Sequence, residues 1–376
     1  MKGEEGADAE TRRCVDAWTH PADAGAISEF DFIKRIRRRA LRHRHATQAF
    51  NSSPVAHRSS LRVGIGDDAA VIKQFDGRET VITADLLIEE IDFRRATTRP
   101  RLLGHKALAV SLSDIAAMGA RPRWALVSLG VPREVWDSGF VDDFYDGFFA
   151  LADRYGIALV GGDVSRTPDK IVVDSVVVGE TAAGRALLRS GARPGDHIFV
   201  TGTLGGSAAG FRLLESGARL GEENSFGRKQ REVERLLLRH LRPEPRVGWG
   251  ALLGTERLAT AMIDLSDGLS SDLAHLCRES RTGALIEASR LPINSSVERI
   301  CGRRALDPLA LALHGGEDFE LLFTIHPRDL RHLPRRVDGV PATYVGDVTH
   351  KSERIQILEG RRQWTLQPSG FMHFSR

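Results

Sequence analysis

Leu102–Pro122, LLGHKALAVSLSDIAAMGARP, is small and apolar on nearly every side. A helix that shows water one face carries a polar stripe; a helix without one is buried all round. The stretch therefore reads as an interior helix, ending at Gly119 with Pro122 just beyond as a stop. One residue is out of place. Asp114 lies inside the run, although helix interiors disfavour Asp.

Strand-like segments rich in Val and Ile lie on both sides of this helix. Before it come LRVGIGDDAAVI and TVITADLLIEEIDF, and after it WALVSLGVP. VWDSGFVDDFYDGFFALADRYG reads as a second helix closed by Gly156, and IALVGGDVS and KIVVDSVVVGE as further strands. A second series opens near RSGARPGDHIFVTGTLGGSAAGFRLLE: a turn, a strand, a Gly-rich turn and a helix. A charged helical stretch from Arg228 to Leu241, the strand-to-helix unit AMIDLSDGLSSDLAHLCRES, GALIEASRLPI, LALHGGEDFELLFTI, YVGDVT and a final SGFMHF complete it. Strands and helices interleave, so the class is α/β (or α+β). Residues 1–27 form a polar, Ala/Gly-rich extension. A boundary near Gly184 divides the rest into 28–184 and 185–376, each long enough for its own core. No short-period repeat is present.

Composition narrows the function classes. A net charge of +3 over 376 residues gives no field that would gather nucleic acid or a membrane. Cys14, Cys277 and Cys301 are far apart and form no CxxC, which disfavours a zinc site or disulfide framework and suits a cytoplasmic compartment. The acidic start MKGEEGADAE has no apolar signal core, and no apolar run is long enough to span a bilayer. SEFDFIKRIRRRALRHRH reads as a helix capped by Ser28 with Asp31 as reciprocal partner, its apolar face made by Phe32, Ile33, Ile36 and Leu41. Its basic residues read either as a phosphate or nucleic-acid patch or as a solvated outer face, and the second is the commoner outcome.

The chemistry lies in carboxylates inside apolar surroundings. Asp68 precedes AAVI; Asp85 sits in VITADLLI; Asp114 in AVSLSDIAAMGA; Asp163 ends IALVGGD; Asp264 and Asp267 punctuate AMIDLSDGL. Burying an ionised carboxylate is costly unless it is paired or binds a cation. An all-oxygen set without His or Cys suits Mg²⁺, which joins carboxylates to substrate phosphates. Bland readings exist: Asp267 as cap of the helix near Leu269, Asp163 as cap of a turn. Two Gly-rich segments, GTLGGSAAG and GIGDD, lack the GK[ST] of a P-loop and the GxGxxG of a dinucleotide fold. Arg189, in LRSGARPGD, is a candidate phosphate clamp. His105 reads as an ordinary helix residue.

These pieces, in this order, resemble the thiamine-monophosphate kinases, a bacterial family of the aminoimidazole-ribonucleotide-synthetase-like superfamily. The resemblance runs from about Ser28 to Phe374 and rests on SEFD, GIGDDAAV, TADLLIEEIDF, KALAVSLSDIAAMGARP, LVGGDVSR, LRSGARPGD, VTGTLGGSAAG, IDLSDGLSSDL, GGEDFEL and GFMHF. It implies two α/β domains. The N-terminal sheet pairs with that of a second subunit in a barrel-like dimer core, and the active site lies in the cleft between domains. It implies transfer of the γ-phosphoryl group of ATP to thiamine monophosphate, with several Mg²⁺ ions. By the same resemblance the metal ligands fall on Asp68, Thr83, Asp85, Asp114, Asp163, Asp264 and Asp267. ATP contacts fall on Tyr145, Gly162, Asp163, Arg189 and Ser266, and substrate contacts on Asp92, Glu317 and Phe371. Asp114, Asp163 and Arg189 are the expected catalytic residues. The chain departs from the pattern twice: Ala84 replaces a Ser or Thr, and Asp92 a frequent His.

Overall fold

The computed structural model describes residues 33–38, 60–74, 76–221, 228–304, 306–351 and 353–370. The expected cap at Ser28 and Asp31, the apolar residues Phe32 and Leu41, the 1–27 extension and Phe371 lie outside the described residues.

The first half contains β1 (Leu61–Val63), β2 (Ala70–Lys73), β3 (Arg78–Ile88), α1 (Pro100–Ala117), β4 (Arg121–Val131), α2 (Arg133–Trp136), α3 (Phe140–Tyr155), β5 (Ala158–Arg166) and β6 (Val172–Ala182). Its strands form one sheet in the order β1-β2-β3-β6-β4-β5. Neighbours are antiparallel except β4 and β5, which the α3 crossover makes parallel. GIGDD does not continue a single strand with its neighbours. It is a loop between β1 and β2, turned at Gly66, whose φ of 119° favours glycine.

The interior helix is α1. Pro100 stands in its first turn, where no N–H is needed, and Gly119 leaves it at φ 65°. Pro122 is not in a loop: β4 begins at Arg121, and Pro122 sits beside a register shift, where a missing N–H is tolerated. From Leu103 to Ala117 every residue but Asp114 is buried. The inner faces of β3 and β6 cover one side of α1 and α3 covers another. Glycines set these distances. A Cβ on Gly104 would lie 1.8 Å from the Phe144 carbonyl oxygen, and one on Gly147 would lie 1.8 Å from that of Arg101. The backbones of α1 and α3 touch at that crossing.

The second half contains β7 (His197–Thr201), α4 (Gly206–Glu215), α5 (Arg228–Leu241), α6 (Val247–Glu256), β8 (Ala259–Asp264), α7 (Leu269–Ser280), β9 (Gly283–Glu287), α8 (Ser295–Arg304), α9 (Pro308–His314), β10 (Leu321–Ile325), β11 (Arg336–Val337), β12 (Val340–Thr349), β13 (Ile355–Glu359) and β14 (Arg362–Thr365). The sheet order is β14-β13-β9-β12-β7-β10-β8, with β11 beside β12. Both faces of the central strands β7, β10 and β8 are covered, so they are buried at nearly every position rather than at alternate ones. Phe199, Met262 and Phe323 point into the core around α1 and α6. Ile198, Val200, Ile263 and Leu322 point into the core under α7. The halves thus share one continuous core. LALHGGEDFELLFTI divides into α9 and β10, with the Gly-Gly-Glu-Asp loop between them. No helix among the described residues is long and apolar enough to cross a membrane.

The crossing of α1 and α3 generates a stability prediction. Gly104→Ala should lower unfolding free energy by about 2 kcal/mol or more, because a methyl group meets backbone rather than space. Gly302→Ala on α8, where nothing lies within 4 Å, should be neutral or stabilising by ~0.5–1 kcal/mol. Denaturant midpoints of the two variants give the comparison; equal midpoints would sink the close-approach argument.

Candidate active site

Three elements from both halves bring carboxylates together. Asp114 points off α1 toward β3, where the Thr83 hydroxyl donates to its Oδ2. Asp264 ends β8 and accepts from the Ser113 hydroxyl at 2.7 Å. Asp68 stands in the β1–β2 loop. Oxygens of Asp68, Asp114 and Asp264 all lie within 4.8 Å of one another. Asp85 shares the inner face of β3 with Thr83, and the Ser111 hydroxyl beside it donates to the Ser175 carbonyl at 3.1 Å. Strand alternation turns Ala84 to the opposite face, so a hydroxyl at that position would not enter the cluster.

Two buried oxygens, Asp68 Oδ2 and Asp85 Oδ2, have no hydrogen-bond partner among the described residues. Burial and neighbouring negative charge raise the acids together. Asp264 is pushed up to about 7 by burial and by Asp68. Asp85 is pushed up to about 6, chiefly by burial. Asp114 stands well above the usual carboxylate range because of burial, then Asp85, Asp264 and Asp68. Such a set of hard oxygen donors, mutually repelling and partly unpartnered, could hold a metal ion.

Arg189 belongs to the cluster. Its guanidinium donates to Asp68 Oδ1 from Nη2 at 2.6 Å and from Nε at 3.1 Å, and its backbone N–H reaches Asp67 at 3.2 Å. The sequence does not announce this pairing, because the partners are 121 residues apart. Over residues 33–38 a short helix lies nearby, with Arg37 against Gly66 and 3.5 Å from Glu279.

A cavity of about 280 Å³ opens between the halves beside the cluster. Asp85, Ser266 and Asp267 line one part of it, and Asp92, Phe211, His240 and Glu317 other parts. Asp267 does not cap α7. Gly268 holds the cap position, and Asp272, one turn into the helix, reaches back to the N–H groups of Asp267 and Gly268. Asp92 Oδ2 accepts from the Ile88 N–H at 2.7 Å, which fixes the turn after β3. Glu317 stands at φ 60°, held by its N–H to the Ser266 carbonyl at 2.7 Å. Its carboxylate receives Lys106 Nζ at 2.7 Å and His240 Nδ1 at 2.9 Å. Lys106, buried in the middle of α1, escapes a sequence reading; its one signal is a lysine in an otherwise apolar run. His105 is ordinary, its Nε2 on the Pro243 carbonyl.

Three expected residues stand apart from the cluster. Tyr145 packs on α3 among Phe144, Phe148 and Phe149. Gly162 and Asp163 lie on β5, an exposed edge strand. The register runs Asp85–Ser175–Val127–Gly162, and three strand spacings put Gly162 roughly 14 Å from Asp85. GTLGGSAAG offers no free phosphate cradle, because the Asp318 carboxylate takes the N–H groups of Gly205 and Ser207.

Residues 66–181 match the N-terminal domain of AIR synthase related protein, and residues 193–357 its C-terminal domain. The thiamine-monophosphate kinase of Bacillus subtilis is 37% identical over 93% of this chain and 100% of its own length. The chain belongs to the thiamine-monophosphate kinase family. The Escherichia coli K12 member of the family is 37% identical over 85% of this chain and 94% of its own. A solved structure described as AaThiL complexed with AMPPCP and TMP superposes with a TM-score of 0.76 at 30% identity. It covers 95% of this chain and 100% of that one. The Stenotrophomonas maltophilia enzyme gives a TM-score of 0.68 at 38% identity, covering 89% of this chain and 97% of that one.

The raised acids make a pH prediction. A carboxyl group raised in the folded state holds its proton where the unfolded chain has lost it. Its stabilising contribution is complete below about 4 and is lost as pH rises through the folded value, near 6 for Asp85 and 7 for Asp264. Chelator-treated protein should therefore lose melting temperature between pH 5 and pH 8, and Asp264→Asn should flatten that slope. Parallel slopes in variant and wild type would count against the cluster.

Proposed function

We propose that the cavity is where the γ-phosphoryl group of ATP passes to the phosphate of thiamine monophosphate, giving ADP and thiamine diphosphate. The observation that carries this is the buried cluster of Asp68, Asp114 and Asp264, with unpartnered oxygens on Asp68 and Asp85, beside a cavity that a carboxylate at Glu317 also faces. Asp68, Thr83, Asp85, Asp114, Asp264 and Asp267 are the residues that would hold Mg²⁺. Bound there, such ions supply positive charge that lets two anionic phosphates approach.

The chain's own residues align and neutralise. Arg189 adds a fixed cation beside Asp68, and its guanidinium fork suits a phosphate. Ser266 and Asp267 stand at the cavity wall shared with the cluster. The acceptor is a phosphate monoester, largely ionised at neutral pH, so no strong general base is required. Asp92 and Glu317 face the end that takes the thiamine rings, and Phe371 is the further aromatic expected there.

Tyr145, Gly162 and Asp163 fit the site through a second copy of the chain. The outer face of the N-terminal sheet is apolar and uncovered: Leu86 is 54% exposed and Trp124 41%, with Val160 on the β5 edge at 57%. A homodimer packed on this face covers it. It would also carry Asp163 of the partner subunit toward the nucleotide. Cys277 and Cys301 are buried free thiols, in keeping with a cytoplasmic location.

Purified protein given ATP, Mg²⁺ and thiamine monophosphate should form thiamine diphosphate and ADP in equal amounts, and EDTA should stop both. ADP without thiamine diphosphate would mean a different acceptor. Asp114→Asn should cut turnover ~100-fold or more while the melting temperature holds, since it removes charge and little volume; near-normal turnover would refute its role. Leu126→Arg, on the outer face of β4, should halve the mass seen by light scattering and abolish turnover. A fully active monomer would exclude the shared site.

A further inference from the structure

Lys106, Glu317 and His240 form a trio in the cavity wall, Lys106 buried and the other two partly exposed to the cavity. Lys106 is 1% exposed and Glu317 takes its ammonium at 2.7 Å. The Lys106 Nζ also donates to the Asp92 carbonyl at 3.3 Å. The other oxygen of Glu317 meets His240 Nδ1 at 2.9 Å. Burial would raise Glu317, but Lys106 and His240 hold it down to about 2, so the carboxylate is ionised and only accepts hydrogen bonds. The nitrogen facing it must then carry the proton. His240 itself is kept neutral by burial and by the charge of Lys106. A neutral imidazole protonated at Nδ1 has a bare lone pair at Nε2.

That Nε2 makes no hydrogen bond among the described residues, and His240 lines the cavity. Ser207 Oγ sits 3.2 Å from Nδ1, the same nitrogen Glu317 holds, so it leaves Nε2 alone. Phe211, its ring centroid 5.3 Å from that of His240, lines the same wall. The wall made by α4 and α5 carries none of the cluster's aspartates. In thiamine monophosphate the phosphate and the aminopyrimidine project from opposite sides of the thiazolium ring. With the phosphate at the aspartates, the aminopyrimidine falls toward this wall. Lys106 and Glu317 cancel in charge, so what the trio offers the ring is a directed acceptor beside an aromatic face.

We propose that His240 is a specificity-determining residue whose Nε2 accepts a hydrogen bond from the exocyclic amino group of the substrate's pyrimidine. The inference rests on the kinase reading above. An acceptor that the bound substrate closes off from water discriminates strongly, because an analogue without the donor leaves it unpaired.

The test compares thiamine monophosphate with its 4-oxo analogue, oxythiamine monophosphate, on wild type, His240→Asn and His240→Gln. The Asn amide can still donate to Glu317 from the Nδ1 position but has nothing at Nε2. The Gln amide can place its oxygen near Nε2 and gives up the Glu317 bond. Wild type should favour the amino substrate by ~100-fold or more in kcat/KM. His240→Asn should lose most of that preference, mainly through a raised KM for thiamine monophosphate, with the KM for ATP unchanged. His240→Gln should keep much of it. The opposite ranking, with Asn preserving the preference and Gln losing it, would assign His240 to holding Glu317 and overturn the proposal. So would a wild type that phosphorylates both substrates alike. A wild type that turns over neither substrate refutes the kinase reading itself, a result distinct from both.

Discussion

Carboxylates whose oxygens lie within 4.8 Å of one another, in a space that excludes most water, repel. Asp68, Asp114 and Asp264 come from a loop, a helix and a strand end, and no two lie on the same element. Only a completed fold brings them together, and only protons, Arg189 or a bound cation relieve the repulsion. The surrounding architecture serves this arrangement. α1 is apolar all round so that it can sit between sheet and helix; β3 alternates so that Thr83 and Asp85 face it; Ser113 fixes Asp264 from the helix side.

Much of this was legible in the sequence because the signals are local. The apolar run with Asp114 inside it, the Gly119 and Gly156 helix ends and the basic helix from Arg228 to Leu241 depend on a few neighbouring residues. The cost of burying charge pointed to Asp68, Asp85, Asp114 and Asp264 without any knowledge of where they meet. What stayed hidden depends on contacts across long separations. The Asp68–Arg189 pair, the Asp318 carboxylate that fills the Gly-rich turn, and the placing of Lys106 and His240 on either side of Glu317 have no local signature.

Two local readings misled for a physical reason. Asp267 precedes a helix as a cap would, yet Gly268 holds the cap position, and Asp267 stands at the cavity wall. Asp163 follows two glycines, as a turn cap would, yet it lies in β5, and the sheet order carries it away from the cluster. In both cases the tertiary pairing decided what the side chain does. Ala84 is the converse: a departure from the family's usual residue whose side chain leaves β3 from the face away from the Asp68–Asp114–Asp264 cluster.

The continuous core of Phe199, Trp249, Met262 and Phe323 with the α1 residues has a mechanical consequence. Two lobes joined by such an interface do not swing like jaws. The loops that line the site are tied down as well: Arg189 holds Asp68 in the acidic loop, and Lys106, His240 and the Ser266 carbonyl hold Glu317 in the Gly-Gly-Glu-Asp loop. The molecule is a stiff frame, and a ligand meets two halves that keep one relative placement.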